Sequence, residues 1–325
     1  MRVLVIGGTQ FIGREIVRRL LARGHDVAVL HRRDRHDLGA TVRNVQADRG
    51  DLPALTAAIR RERPQAVFDI AYDWAKGTTA EHVEAAARAC DGALERYVFM
   101  SSIAAYGAGL DHTENHPLVG DDDPRAYAAH KASSERALFR MHAESGFPAV
   151  AFRPPYVHGP HQALYREQFF WDHMRDGRPI VLPDGGADPI QWVFVGDLAE
   201  ACVRALETPA AVGEAFNVAH VEPLTQRTYV ELLARVAGAE PELVPVSREH
   251  IRAAGGELAG PRMYFGEALD RPPMTERVEK ARRVLDLTPT PIEDAFRATY
   301  AWYLEQPRRA VDYAFEDELL AGIRR

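Results

Sequence analysis

Tyr127 and Lys131 stand four positions apart in a segment whose pattern predicts a helix, so they share one face. A phenol, with a pKa of about 10, is a poor base at neutral pH. A neighbouring ammonium lowers that pKa by favouring the phenolate. Tyr127 would then exchange a proton with a substrate hydroxyl or carbonyl while a nicotinamide exchanges a hydride. Ser102 follows a predicted strand, where its hydroxyl would hold the substrate oxygen. A surface pair on a helix is the alternative.

A glycine-rich turn lies between an apolar run at residues 3–6 and a helical pattern. Small residues there let the backbone approach a pyrophosphate, and the helix N-terminus presents unpaired N–H groups. We therefore predict a dinucleotide site, and its contact residues are Gly7, Thr9, Gln10, Phe11, Ile12 and Gly13. Gln10 stands where a middle glycine would be expected. A tight strand–helix turn without a ligand is the alternative.

The end of the second strand indicates which dinucleotide binds. A carboxylate there would bind the ribose hydroxyls of NAD, whereas a basic residue would pair with the extra phosphate of NADP. Arg32 and Arg33 follow this strand, and the first carboxylate is Asp34. The sequence therefore favours NADP over NAD, with both arginines as contacts. A solvated charged loop is the alternative.

Further contacts are expected where other strands end. Asp48 and Arg49 follow the third strand, on the adenine side, and Ala71 follows the fourth, near the pyrophosphate or ribose. Asp73 and Trp74 come shortly after Ala71, where the mouth of the active site should lie, and are candidate substrate contacts. His130, between Tyr127 and Lys131, is interpreted as a packing or surface residue.

The elements that must position these residues alternate along the first half of the chain. Apolar runs predict strands at 3–6, 27–30, 42–45, 66–70, 97–100 and 150–152. Helical patterns fall at 12–21, 51–61 and 79–91, and a longer one, with Asp123 as N-cap, runs to about 144. This alternation predicts an α/β fold with a doubly wound parallel (Rossmann) sheet.

The second half has a different texture, with short segments punctuated by proline and glycine. Helical patterns persist at 164–175, 197–207, 225–237, 276–286 and 291–305, and residues 308–325 form a terminal segment. We expect a dinucleotide-binding domain at 1–155 and a smaller α/β substrate-binding region at 156–325, interleaved with the first.

Composition limits the classes of function. The net charge of −7 argues against nucleic-acid binding by the whole surface. No run of about 18 apolar residues is present, so no membrane span is expected. Because the first strand is predicted at residues 3–6, we expect no cleaved leader. Two cysteines show no metal-site or disulfide spacing, and no metal is expected. We expect a cytoplasmic homodimer that acts on a small-molecule substrate.

Several motifs taken together resemble the extended short-chain dehydrogenase/reductase family, that is, the NAD-dependent epimerase/dehydratase group. They are GGTQFIG at 7–13, SSIAAYG at 101–107, YAAHK at 127–131, RPPYVHGP at 153–160, VFVGDLA at 193–199, FNV at 216–218 and KARRVL at 280–285. The resemblance implies a catalytic triad of Ser102, Tyr127 and Lys131. It also implies that Lys131 binds the nicotinamide ribose and that Pro154 lies beside the nicotinamide.

Departures from the family pattern narrow the reaction. Family dehydratases carry an acid and a base directly after the triad serine, where this chain has Ile103 and Ala104. Dehydration and decarboxylation are therefore disfavoured, and simple carbinol–carbonyl exchange remains, either as epimerisation or as net reduction. Sugar-nucleotide enzymes often have an arginine where this chain has Ile190-Gln191-Trp192. Arg262 or Arg271 could replace it.

Four functions stay open at this point. The first is an NAD(P)-dependent oxidoreductase or epimerase acting on a sugar or a sugar-nucleotide-like substrate. The second is an NADPH-dependent reductase of a non-nucleotide ketone. The glycine turn also resembles that of chloroplast stem-loop RNA-binding proteins, so an RNA-binding protein on a dehydrogenase scaffold is the alternative of another class. A nucleotide-sensing regulator with a vestigial site is a further one.

Overall fold

The computed structural model describes residues 1–90 and 92–323, and the apolar segments of the sequence form its strands. The strands are β1 (Arg2–Ile6), β2 (Asp26–His31), β3 (Arg43–Gln46), β4 (Ala66–Asp69), β5 (Arg96–Met100), β6 (Gly109–His112), β7 (Ala149–Phe152), β8 (Tyr156–His158), β9 (Ile180–Pro183), β10 (Pro189–Ile190), β11 (Trp192–Phe194), β12 (Glu214–Phe216), β13 (Leu224–Thr225), β14 (Leu243–Val246) and β15 (Met274–Glu276).

Helices connect most of these strands. They are α1 (Phe11–Ala22), α2 (Leu52–Glu62), α3 (Ala80–Ala89), α4 (Ala126–Ser145), α5 (Glu167–Arg175), α6 (Val195–Glu207), α7 (Gln226–Ala237), α8 (Arg248–Ala253), α9 (Glu279–Val284), α10 (Ile292–Leu304) and α11 (Ala314–Ile323). Short 3-10 helices span Ile103–Tyr106 and Pro209–Ala211. The predicted end of the third helix at residue 91 lies outside the described residues.

A parallel sheet forms the centre of the first compact unit, which comprises Met1–Val157, Trp192–Val221 and Met274–Pro289. Within the described chain this sheet has seven strands in the order β12–β7–β5–β4–β1–β2–β3, and each adjacent pair is parallel. The strand order reverses between β1 and β4, which opens a crevice at their carboxyl ends. The predicted doubly wound parallel sheet is confirmed.

Both faces of this sheet are buried, and that is why its strands read as continuous apolar runs. Val3 and Val5 of β1 pack into one apolar layer with residues of α1 and α6. Leu4 and Ile6 point the other way, into a layer with residues of α2 and α3. A strand with one wet face would have alternated instead.

Two helix predictions were wrong in detail. Asp123 was expected to cap α4, but the helix begins at Ala126 and Arg125 occupies the cap position. The Asp123 carboxylate instead accepts hydrogen bonds from Arg125, and the distance from the Arg125 backbone nitrogen to Asp123 Oδ1 is 2.9 Å. The helix expected at 276–286 is shorter and begins at Glu279, since Glu276 is the last residue of β15, which pairs in parallel with β6.

The second unit comprises His158–Gln191, Glu222–Pro273 and the chain from Thr290 onward. Its helices α5, α7 and α10 pack together around the buried Trp171, and β9 pairs in parallel with β14. The terminal helix α11 is held to α5 by a contact of 3.1 Å between His173 and Glu316. Its assignment to substrate binding, and the predicted division after residue 155, stay predictions.

Two features that the described residues lack bear on the classes of function set out above. Among the described helices, none combines the length and the apolar character that a membrane crossing requires. In the same part of the chain, no three His, Cys, Asp or Glu side chains cluster as metal ligands.

Candidate active site

Ser102, Tyr127 and Lys131 are brought together at the carboxyl edge of the sheet. Ser102 follows β5, and the other two lie in the first turns of α4. A hydrogen bond links the side chains of Ser102 and Tyr127. The Nζ atom of Lys131 lies 5.7 Å from the centre of the Tyr127 ring. The fold therefore brings Ser102 close to two side chains that follow it by 25 and 29 positions in the sequence.

Lys131 is buried under aromatic rings. Its Nζ atom donates to the carbonyl oxygen of Met100 at 2.6 Å and lies 5.1 Å from the Phe99 ring centre and 5.3 Å from that of Tyr72. Burial lowers the pKa of Lys131 to about 7, although Asp69 opposes this shift. The ammonium is therefore poised to lose its proton near neutrality unless a further partner stabilises its charge.

The phenol of Tyr127 has a high pKa in this structure. Burial raises that pKa to about 12, and the hydrogen bond with Ser102 only partly offsets the shift. The expected lowering by Lys131 is not found, because its Nζ atom is bonded to Met100 and not to the phenol. Tyr127 is consequently protonated at neutral pH and is an acid before it is a base.

The glycine turn is packed so tightly that side chains are excluded at three positions. A Cβ atom on Gly7, whose φ is +92°, would lie 2.8 Å from the Cβ of Ala71, and one on Gly8 would lie 2.7 Å from Val29. On Gly13 it would lie 2.2 Å from the Gly7 carbonyl oxygen. The turn therefore keeps bare backbone at the start of α1, in the crevice of the sheet.

The other predicted residues of this turn stand around the helix N-terminus. Gln10 is the N-cap residue, with extended backbone and no capping hydrogen bond from its side chain. Phe11 has a φ of +35°, which is unusual for a residue other than glycine. Thr9 and Ile12 are half-buried. No acidic residue occupies the first turn of α1, so its unpaired N–H groups face no competing carboxylate on their own helix. This cradle fits a pyrophosphate.

Two exposed guanidinium groups follow β2. Arg32 makes only a loose ion pair with Asp73, at 3.6 Å, and two thirds of its side chain is exposed. The side chain of Arg33 is exposed and makes no ion pair among the described residues. Directly before these arginines, His31 at the end of β2 contacts the side-chain oxygen of Asn44 in β3 at 2.5 Å. Both guanidinium groups are therefore available to an anion.

The predicted contacts after β3 have different environments. Asp48 is exposed, and its carboxylate accepts the Gly50 N–H at 2.8 Å. Arg49 is buried and forms a two-pronged ion pair with Asp69, whose second contact is 2.7 Å, while the Tyr97 hydroxyl donates to the same carboxylate. Arg49 therefore holds the last residue of β4 in place. Its contact with a cofactor stays a prediction.

Ala71 and Pro154 both border the cleft at the ends of strands. Ala71 faces Gly7 across the crevice, and its N–H donates to the Ile6 carbonyl at 3.1 Å. Pro154 is buried after β7 and accepts a hydrogen bond from Ile103 at 3.0 Å. That bond joins the residue predicted beside the nicotinamide to the segment that follows Ser102.

Sequence reasoning missed Tyr72, which lies next to the triad. Its ring meets that of Tyr127 edge-on, with centres 4.8 Å apart, and its hydroxyl lies 3.0 Å from Nδ1 of His130. Trp74 stacks on Tyr127 with the centres 5.0 Å apart. The position of Tyr72 just after β4 was a usable signal, because the carboxyl ends of parallel strands meet at one edge.

Comparison with known proteins agrees with this architecture. Residues 3–219 match the model of the NAD dependent epimerase/dehydratase family, and the chain belongs to that family. It is accordingly an enzyme of the extended short-chain dehydrogenase/reductase type. The resemblance drawn from the motifs is confirmed.

Individual relatives differ in what they are named for. The chain is 29% identical over 260 residues to the chloroplast stem-loop binding protein of 41 kDa b of Arabidopsis thaliana, and the match covers 75% of the chain but only 65% of that protein. It is 27% identical to the 2-alkyl-3-oxoalkanoate reductase of Stenotrophomonas maltophilia, with 74% and 76% covered. UDP-glucose 4-epimerase of Thermus thermophilus, solved with NAD, is similar in fold, with a TM-score of 0.72, 25% identity, and 94% and 100% covered.

Proposed function

We propose that this protein reduces a carbonyl compound to a carbinol with NADPH as the hydride donor. The observation that carries the proposal is the meeting of Ser102, Tyr127 and Lys131 at the edge of the sheet that also carries the glycine cradle. A protonated phenol beside a bound carbonyl supplies the proton that reduction requires. The name of the S. maltophilia relative, a reductase of an oxo compound, agrees with this direction.

The residues divide the reaction between them. When bound, the nicotinamide supplies the hydride for the carbonyl carbon. Tyr127 donates its proton to the carbonyl oxygen, and Ser102 holds that oxygen by a hydrogen bond. Lys131, once protonated, binds ribose hydroxyls and stabilises the phenolate that Tyr127 becomes. Water then returns a proton to the Tyr127 phenolate.

Selection of NADP rests on Arg32 and Arg33. A ribose phosphate carries two negative charges near neutrality, and a guanidinium pairs with it through two parallel hydrogen bonds. Both side chains are exposed after β2, and only a loose contact with Asp73 occupies Arg32. A carboxylate at this position would have repelled the phosphate.

Net reduction is favoured over the sugar-nucleotide reactions of other family members. Arg262, considered as a replacement diphosphate ligand, is occupied: it donates to the carbonyl oxygens of Gly255 and Ala254 and lies over the ring of Phe315. Arg271 is exposed. Beside Ser102, Ile103 and Ala104 offer no proton-transfer group for elimination of water.

The test combines identification of the nucleotide with one substitution. Protein purified without added cofactor is analysed for bound nucleotide, then assayed with NADPH against aryl and alkyl ketones and with UDP-glucose for epimerisation. We expect ketone-dependent NADPH consumption, which Tyr127→Phe lowers by about 10²–10⁴-fold without changing the dissociation constant of NADPH. Tyr300→Phe, on α10, is the matched control.

Three results would overturn the proposal. One is wild-type turnover by Tyr127→Phe. Another is epimerisation of UDP-glucose with tightly held NAD and no ketone reduction. The third is co-purified RNA in place of a dinucleotide, which would support the alternative drawn from the stem-loop binding protein.

A further inference from the structure

Trp74 is exposed in an unusual way for so large an apolar side chain. It is 73% exposed, the largest value among the large apolar side chains of the described chain. Its indole nevertheless lies nearly parallel to the Tyr127 ring, at an angle of 19° and with the centres 5.0 Å apart. One face of the indole therefore packs on the Tyr127 ring, and much of the indole remains exposed to solvent.

The turn that carries Trp74 is fixed by its own hydrogen bonds. The Asp73 carboxylate accepts from the backbone nitrogens of Ala75 and Lys76 at 2.9 and 3.1 Å. The Asp73 N–H donates to the Thr78 hydroxyl at 3.0 Å. Gly77 closes the turn with a φ of +79°, and a Cβ there would lie 2.6 Å from the His130 ring. Trp74 is thus presented by a defined turn and not by a loose loop.

Tyr72 completes an aromatic corner around the phenol. Its ring meets Trp74 edge-on at 4.9 Å and Tyr127 edge-on at 4.8 Å. The hydrogen bond between the Tyr72 hydroxyl and His130 holds the ring in this orientation. We call Tyr72 and Trp74 the aromatic wall. Since both stand beside Tyr127, any carbonyl that reaches the phenol places one of its substituents next to the wall.

The chemistry of the wall selects among carbonyl substituents. Aromatic pairs in stacked or edge-on geometry bind more tightly than burial of their area alone provides, by up to about ten-fold. A flat π system gains this from an indole face, whereas a puckered saturated ring of the same size does not. A substrate diphosphate would gain nothing from two uncharged aromatic rings.

We propose that the aromatic wall of Tyr72 and Trp74 selects carbonyl substrates that carry a planar aromatic group next to the reacting carbon. This inference rests on the proposed carbonyl reduction and specifies its substrate class. Trp74 is the specificity-determining residue.

The test compares two ketones that differ mainly in planarity. The full chain with NADPH is assayed on acetophenone and on cyclohexyl methyl ketone. For Trp74→Ala we expect the ratio of kcat/KM values, aryl over cyclohexyl, to fall about ten-fold, mainly because the KM of the aryl ketone rises. Trp74→Phe should restore most of the ratio. Leu110→Ala, which removes another exposed apolar side chain, is the control and should leave it unchanged.

A binding measurement separates this inference from the proposed reaction. Titration calorimetry follows benzamide, which has the aryl–carbonyl unit but is not reduced, on wild type, Trp74→Ala and the control Leu110→Ala in the presence of NADP. We expect about ten-fold weaker binding to Trp74→Ala only. Reduction of both ketones with a ratio that Trp74→Ala leaves unchanged overturns the aromatic wall and leaves the reaction standing. Benzamide binding that depends on Trp74 in a protein that reduces neither ketone overturns the reaction alone, and failure of both readouts overturns both.

Discussion

The Nζ atom of Lys131 donates to the carbonyl oxygen of Met100 at 2.6 Å, so the amine is held against the end of β5 in a buried position. Burial lowers its pKa from 10.5 to about 7. Between these values the unfolded chain binds a proton at Lys131 that the folded chain does not. The free energy of unfolding therefore rises with pH across this window.

Lys131→Met should remove this pH dependence. We expect the stability of wild type relative to Lys131→Met to rise by about 1.4 kcal/mol per pH unit between about pH 7 and about pH 10. Below about pH 7 the charged amine opposes folding at full strength, and the difference becomes constant. Urea unfolding at several pH values measures it, with the exposed Lys76→Met as control. If the free energy of unfolding changes equally with pH in wild type and Lys131→Met, the lowered pKa of Lys131 is contradicted.

Gly13→Ala should close the dinucleotide cradle. The added methyl group would lie 2.2 Å from the Gly7 carbonyl oxygen, and neither backbone segment can yield without opening the turn. We expect loss of measurable NADPH binding in titration calorimetry and a lower Tm. At Gly92 a Cβ meets nothing within 4 Å, so Gly92→Ala should change neither. Unaltered NADPH affinity in Gly13→Ala would refute a pyrophosphate site at this turn.

Arg33→Ala should weaken NADPH more than NADH. A solvent-exposed guanidinium–phosphate contact is lost with one cofactor and does not exist with the other, so we expect about a ten-fold rise in the dissociation constant of NADPH alone. Arg35→Ala tests whether any exposed arginine of this loop has the same effect. Equal losses for both cofactors would mean that Arg33 does not read the phosphate.

Asp69→Ala should be severely destabilising. It leaves the Arg49 guanidinium buried without its carboxylate and removes the acceptor of the Tyr97 hydroxyl. Breaking a buried pair from one side costs about 3–5 kcal/mol. Glu84→Ala, which breaks an exposed pair with Arg88, should cost at most about 1 kcal/mol. Urea unfolding compares the two, and a similar small loss in both would show that the buried pair contributes little.

The sheet could be predicted from sequence because its signals are local. The run from Val3 to Ile6 is continuously apolar, and these few residues are enough to predict a strand that is buried on both faces. The strand β15 could not be predicted this way. It has three residues, and it forms by pairing with β6, more than 160 positions earlier.

The candidate site was predictable to the extent that motifs define it. Ser102, Tyr127 and Lys131 were found by type and spacing, and they converge. Arg49 was predicted as a cofactor contact from its position after β3. Its ion pair with Asp69, 20 positions away, could not be predicted because no spacing rule joins the two residues. Tyr72 was missed for the same reason, since 55 positions separate it from the ring it touches.

The exposure of Trp74 also makes the protein its own optical reporter. Trp171 and Trp192 are buried and Trp302 is half-buried, so a soluble collisional quencher reaches the indole of Trp74 before the others. The fluorescence of Trp74 arises beside the Tyr127 ring. A change in that fluorescence would therefore report ligand binding next to Tyr127 without an attached dye.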